Sequence, residues 1–275
     1  MLKKFLSVIV VWLLCVPGLW ATEVFVWNDA KGQRHYSDHQ QADASALQLN
    51  PGAAYYWVDK VYDGDTVLLS HGPKVRLLGI NTPEVSGRYK SAEQGGQEAK
   101  AWLTQRLAGQ KIRLEGDVEA QDHYQRHLGY LFDEQGHNIN LELVRNGLAM
   151  VSVFPPNLRY LSAFIEAQRE AEAQYLGVWS YPEYAVKPYQ DINDDNMHGW
   201  QRVSGRVRAV KQGEKHRYLQ FSDQVSVKIP EQYQSWFTDV DQYQGKLIEA
   251  RGWVQKQANR YVLSVRHPAE IRVLD

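Results

Sequence analysis

The 275-residue chain has a single cysteine, Cys15, and three methionines. Everything after Cys15 is therefore without a disulfide or a thiolate metal cage. Charge of neither sign dominates: 31 basic against 32 acidic side chains leave a formal net charge of −1, which is not the footprint of a general nucleic-acid binder. There is no Gly-x-Ser-x-Gly elbow, phosphate-binding glycine loop or dinucleotide fingerprint. A zinc reading also fails, since His123 and His127 straddle Arg126 with no cysteine or third histidine at ligand spacing.

A notable apolar run lies at the amino end. Phe5 to Leu14 is apolar except for Ser7, follows Lys3 and Lys4, and is broken by Pro17 and Gly18 before Ala21. That three-part pattern predicts a secretory signal over residues 1–21, too short for a comfortable transmembrane helix. An uncleaved anchor is the alternative. Leu14 stands where a lipoprotein signal at Cys15 would want a small residue. The expectation is a secreted or periplasmic protein with no membrane segment in its mature form. Without disulfides such a chain needs a substantial core, and about 250 residues can supply one or two.

Charge is unevenly placed. Residues 51–182 hold 13 basic and 16 acidic side chains, whereas residues 199–275 hold 13 and 8. The basic carboxyl-terminal part could attract phosphates, although such charge serves solubility equally well.

Four pieces follow the signal. Residues 22–50 contain Val24-Phe25-Val26-Trp27, a turn at Asn28 to Gly32 and Arg34-His35-Tyr36-Ser37, which predicts a hairpin with a polar linker after it. It resembles a small uncharacterised module near the amino end of secreted bacterial proteins. Residues 53–182 show five β-rich runs (55–60, 66–70, 74–78, 111–114 and 128–132) and three helical stretches (91–107, 139–144 and 158–175, the last with Asn157 as its cap). Residues 183–198, rich in Asp, Asn and Pro, read as a linker. From residue 199 to 275 the pattern is almost all strand, with a short helical piece near 231–237. The fold class expected is β-rich α+β: a five-stranded barrel of the oligonucleotide-binding type with three helices, then a second small β-barrel.

The chemistry concentrates between Asp63 and Arg126. Three motifs stand there: Asp63-Gly64-Asp65-Thr66, Arg76 to Glu84, and Asp122 to Tyr130. Carboxylates and an amide oxygen that could hold a hard cation alternate with guanidinium groups that could hold a phosphate. Asp63 reads better as a turn residue than as a ligand. Taken alone, Arg76 and Glu84 could be a structural ion pair, and Arg126 a solvated loop residue.

Together the three motifs, in order and at near-family spacing, resemble the staphylococcal nuclease family from about Tyr56 to Ser180, with a closing Gly177-Val178-Trp179-Ser180. The resemblance implies a calcium-dependent endonuclease that cleaves DNA and RNA, with water attacking in line and 3′-phosphate ends left behind. It assigns Arg76 and Arg126 to the phosphate and Glu84 to the general base. Asp65, Asn81 and the backbone carbonyl of Thr82 match the Ca²⁺ ligands. Tyr124 matches a substrate-contacting tyrosine. Phe154 falls where the family has base-stacking tyrosines, with core packing as the alternative, and Lys90 lies on the loop 86–96 that would flank the substrate groove. One departure is Asn81, where the family usually has aspartate; the change removes a negative charge and should weaken the hold on a dication.

The carboxyl-terminal barrel loosely resembles nucleic-acid-binding modules, with Tyr218, Phe221, Trp253 and Tyr261 among basic residues. A structural or protein-contact module is the equal alternative. Against the nuclease reading stands a catalytically weak nucleic-acid- or protein-binding envelope protein that keeps the barrel as scaffold.

Overall fold

The computed structural model describes residues 25–28, 34–37, 45–46, 54–86, 92–195 and 199–275. The signal expected at 1–21 and the site residue Lys90 lie outside these. The chain divides into two compact units, residues 1–52 and 53–275.

In the first unit β1 (Phe25–Asn28) pairs antiparallel with β2 (Arg34–Ser37), with the Trp27 and His35 rings stacked at 5.4 Å. A short β3 (Ser45–Ala46) pairs on the other edge of β1, inside the stretch read as linker.

The second unit opens with β4 (Tyr55–Tyr56), β5 (Val58–Asp63), β6 (Thr66–Leu69), β7 (Lys74–Leu77) and β8 (Ile80–Asn81). Helix α1 (Gly96–Leu107) leads to β9 (Ile112–Glu115) and β10 (His127–Asp133). Then come α2 (Ile139–Arg145), β11 (Met150–Val151) and α3 (Leu161–Ala173). β4 and β5 are two parts of one strand: the first pairs with β9 and the second with β6, so the order β4-β9-β10-β7-β6-β5 closes into a barrel. β7 and β10 run parallel, the other ladders antiparallel. Alternation along the strands sends Val67, Leu69, Val75 and Leu77 inward, where none is more than 1% exposed. Each such side chain contributes about 1.5–3 kcal/mol of burial.

Two boundaries differ from expectation. α1 starts at Gly96 rather than Ser91, after Gly95 takes a left-handed φ of 94° that interrupts the helical path. Asn157 does not cap α3, which begins after Tyr160; its Oδ1 accepts the Glu119 N–H at 2.8 Å instead. A true side-chain cap is Asn138 on α2, which accepts the Leu141 N–H.

Residues 183–195 are more than a connection. Tyr184 and Ile192 are each 6% exposed, and β12 (Val186–Pro188) pairs in parallel with β13 (Trp200–Arg206). The second barrel continues with β14 (Ala209–Gln212), β15 (His216–Gln220), β16 (Val225–Pro230), β17 (Leu247–Gln257), β18 (Arg260–Ser264) and an edge strand β19 (Ile271–Val273). β13 and β14 again share one strand between two partners, β17 and β15, and β16 runs parallel to β18. The connectivity therefore repeats that of the first barrel, with the third strand parallel to the fifth in both, as in the oligonucleotide-binding fold.

The barrels are fused. Met150, Trp179, Tyr184 and Trp200 form a separate apolar cluster between them, with Trp179 and Trp200 edge to face at 6.1 Å. Beside it, Glu172 of α3 binds Arg202 at 3.2 Å and Arg251 at 2.5 Å, while Glu249 accepts from both arginines at 2.7 Å. Burial opposes the charge on Glu249, but the two arginines outweigh it and hold the carboxyl below its usual range.

Candidate active site

The geometry starts at the β5–β6 turn. Asp63 Oδ1 accepts the Asp65 N–H at 3.1 Å, which makes Asp63 the turn former the sequence suggested. Gly64 has no alternative there, because a Cβ would lie 2.6 Å from Thr82 Cγ2 and 2.7 Å from Ala99 Cβ. The tight turn brings the 5%-exposed Asp65 against Thr82, whose N–H donates to Asp65 Oδ2 at 3.0 Å.

Arg76 sits on β7 opposite Thr66 on one side and Leu128 on the other. Its Nη2 lies 2.9 Å from Asp65 Oδ2 and donates to Asn81 Oδ1 at 3.1 Å. Its Nη1 donates to the Leu77 and Ile80 carbonyls at 2.7 and 3.0 Å. Asn81, held in register by Met150, donates its own amide to the Thr82 carbonyl at 3.2 Å. Burial pushes the Asp65 carboxyl up to about 6, against the pull of Arg76 and with the push of Asp63.

Asp65 and Asn81 each bond Arg76 Nη2, and the Asn81 amide bonds the Thr82 carbonyl, so one carboxylate and two amide-type oxygens lie in neighbouring positions. The donor set suits a hard divalent cation, and with one formal charge it is a weak one. A different trio, Asp133, His137 and Glu142, also has ligand atoms within 4.8 Å of one another. Arg106 already fills that cluster, donating to Asp133 at 2.6 Å and to Glu142 at 2.7 Å. A guanidinium therefore stands in that cluster as Arg76 stands between Asp65 and Asn81, and both sets are ion-paired in this structure.

Glu84 follows Pro83 and is half-buried. Its backbone is fastened twice to one residue: the Glu93 N–H donates to the Glu84 carbonyl at 2.9 Å, and the Glu93 carboxylate accepts the Glu84 N–H at 2.9 Å. Gly96 lets α1 approach, since a Cβ there would meet the Glu84 carbonyl oxygen at 2.5 Å. Glu93 thus anchors the Glu84 backbone, a contact that sequence reasoning missed because no motif spacing marks it.

Arg126 is presented by a second turn. Asp122 accepts the Arg126 N–H at 2.9 Å and its Nε at 2.7 Å, and Gln125 takes a left-handed φ of 62° to complete the loop. Burial works against the Asp122 charge, yet the bonds from Arg126 prevail and hold its carboxyl low. Tyr124 is 70% exposed, with the Arg126 guanidinium 5.5 Å from its ring centre.

Arg76, Arg126 and Phe154 line one cavity of about 390 Å³. Phe154 is 44% exposed, so it is a wall of that cavity and not core. Arg266, from the second barrel, lies with its guanidinium 4.1 Å from the Phe154 ring centre. Of the four barrel aromatics singled out in the sequence, Phe221 is core at 1% exposed, and Tyr261 donates to Asp194.

The family model described as staphylococcal nuclease homologue matches residues 74–181, a span that takes in Arg76, Asn81, Glu84, Arg126 and Phe154. A thermonuclease of Staphylococcus intermedius is 35% identical over 129 residues, covering 45% of this chain and 75% of that protein. A thermonuclease of Staphylococcus hyicus is 32% identical over 139 residues, with 50% and 82% covered. Endonuclease YncB of Bacillus subtilis is 30% identical over 166 residues, with 58% and 78% covered.

Proposed function

The chain belongs to the staphylococcal nuclease family, and on that footing we propose that it is an exported, calcium-dependent endonuclease hydrolysing phosphodiester bonds in DNA and RNA. The observation that carries this reading is that Arg76 and Arg126 line one cavity while Arg76 also bridges Asp65 and Asn81. On this reading Arg76 links the phosphate site to the oxygens that would hold the cation. No helix among the described residues is long and apolar enough to cross a membrane.

The two guanidinium groups hold the scissile phosphate and take up the charge that grows on its oxygens. Glu84 orients a water and accepts its proton, a role worth about 10²–10⁴-fold. The water oxygen bonds to phosphorus, the bond to the 5′ oxygen breaks, and that oxygen takes a proton from solvent, leaving a 3′-phosphate and a 5′-hydroxyl. Asp65, Asn81 and the Thr82 carbonyl would hold Ca²⁺, which when bound supplies charge neutralisation at the phosphate. Tyr124 and Phe154 contact the flanking nucleotide, and Lys90, outside the described residues, is proposed as a further substrate contact.

A second reading has one observation in its favour: the Asn81 oxygen already accepts from Arg76, which suits a catalytically weak nucleic-acid or protein binder. Digestion of plasmid DNA and RNA, with calcium and then with chelator, separates the two. The nuclease reading expects cleavage that stops on chelation and falls at least 10²-fold in Glu84→Gln and Arg76→Gly, about the size of a lost general base or oxyanion donor. Cleavage that survives chelation, or is untouched in both variants, sinks the site. Inactivity at high calcium favours the binder.

A further inference from the structure

The second barrel carries a cavity of about 380 Å³ bounded by Lys228, Tyr233, Trp253 and Arg266, with Ser152 of the first barrel at its edge. It adjoins the first cavity, because Arg266 lines one and Phe154 the other, and those two side chains are stacked. Two cations and exposed amides, such as that of Gln255, stand beside indole and phenol rings. The one carboxylate in its wall is Glu270, which is 8% exposed and whose Oε2 accepts the N–H groups of Arg266 and His267. That carboxylate fixes the Arg266 backbone and adds little repulsion at the surface. Cations and flat rings lining one cavity suit a phosphate chain with splayed bases.

We propose that this cavity is a second binding site for single-stranded nucleic acid, continuous with the cleavage cavity across the Phe154–Arg266 stack. The inference rests on the nuclease reading for what occupies the first cavity. A strand held at Arg76 and Arg126 passes over Phe154, where the Arg266 guanidinium backs the ring, and its next phosphates meet Lys228 and Arg266. A peptide partner is the other outcome, and it would show no dependence on the number of phosphates offered.

The test measures binding of the full chain to fluorescent single-stranded DNA in chelator, at lengths of about 16 and about 4 nucleotides, the range over which one such barrel is occupied. Each lost phosphate contact makes the slope of log affinity against log salt shallower by about 0.7 for a single strand. Lys228→Gln is expected to take about that much from the long oligomer, and Lys228→Gln with Arg266→Gln about twice as much. The accompanying loss of affinity is expected to be several times greater for the long oligomer than for the short. Lys228→Gln, which leaves the Arg266 side chain and its contact with Phe154 in place, keeps the test readable if the double variant misfolds. Equal losses at both lengths, no binding advantage of the long oligomer, or a slope that responds instead to Arg208→Gln at the other barrel cavity would overturn the inference. Cleavage in calcium with an unaltered slope leaves the nuclease reading standing and removes this one. A slope that changes in a protein unable to cleave does the reverse.

Discussion

Glu93 grips Glu84 on both sides of its Cα, donating to its carbonyl and accepting from its N–H, each at 2.9 Å. The two bonds close the base of the intervening loop, so the candidate general base hangs from a fixed point. Glu93→Ala is expected to lower kcat about tenfold or more with little change in KM, as misplacing a catalytic group does. The stability loss should be only about 1–3 kcal/mol, that of an unmade hydrogen bond at a part-buried site. Glu93→Gln, which keeps an accepting oxygen, should restore most of kcat. Steady-state kinetics beside urea denaturation give both numbers, and equal kcat in all three proteins would rule the clamp out.

Asp122 acts through Arg126. Because it binds both the backbone and the Nε of that arginine, Asp122→Ala should raise KM and lower kcat in the same direction as Arg126→Ala. Coupled residues are not additive, so the double variant should be no worse than Arg126→Ala alone. A fully additive loss would mean that Asp122 has a separate role.

Asn81→Asp should lower the calcium concentration for half-maximal activity, since it adds a formal charge to a donor set that has one. A calcium titration of the two proteins reads this directly. An unmoved midpoint would count against Asn81 as a ligand.

Glu270 gives the pH dependence. Burial lifts its carboxyl to about 7, against the bonds from the Arg266, His267 and Val153 backbones and the charge of Arg266. The folded value lies above the unfolded one, so the protonated form is favoured by folding. This contribution to stability is full below the ordinary glutamate range and is lost as pH rises through about 7, at up to about 1.4 kcal/mol per pH unit crossed. Glu270→Gln should flatten that part of the profile in denaturation at roughly pH 5 and 8, on either side of the transition. A variant with the same slope as the parent would show that Glu270 titrates normally.

Much of this was legible in the sequence, and for identifiable reasons. Alternation marked β6 and β7 because both pack one face inward, and the same alternation set Arg76 on the opposite face with the site. The Asp63–Asp65 turn was legible because an aspartate accepting from two residues on is a local event. What stayed hidden is non-local. Asn157 stands before an amphipathic run and so looked like a cap, yet its side chain is taken by the distant Glu119 N–H. Residues 183–198 looked like a linker from their polar content, although Tyr184 and Ile192 within them find apolar cover that only the assembled barrels provide. Arg266 could not be read as a neighbour of Phe154, because nothing in either local stretch encodes the docking of one barrel on the other.

That docking has a consequence for what the molecule can grasp. Glu172, Arg202, Arg251 and Glu249 lock the two barrels through a lattice in which every charge has two partners, and separating it would strand arginines in a desolvated seam. The second barrel is a fixed jaw with no wrist. A strand lying across both cavities has one entry angle and one path length available to it. On the proposed path a flexible single strand would bend to fit, whereas a duplex, stiff over about 150 base pairs, would first have to melt or kink, so the rigidity of a seam far from the chemistry would act as a filter on the shape of the substrate.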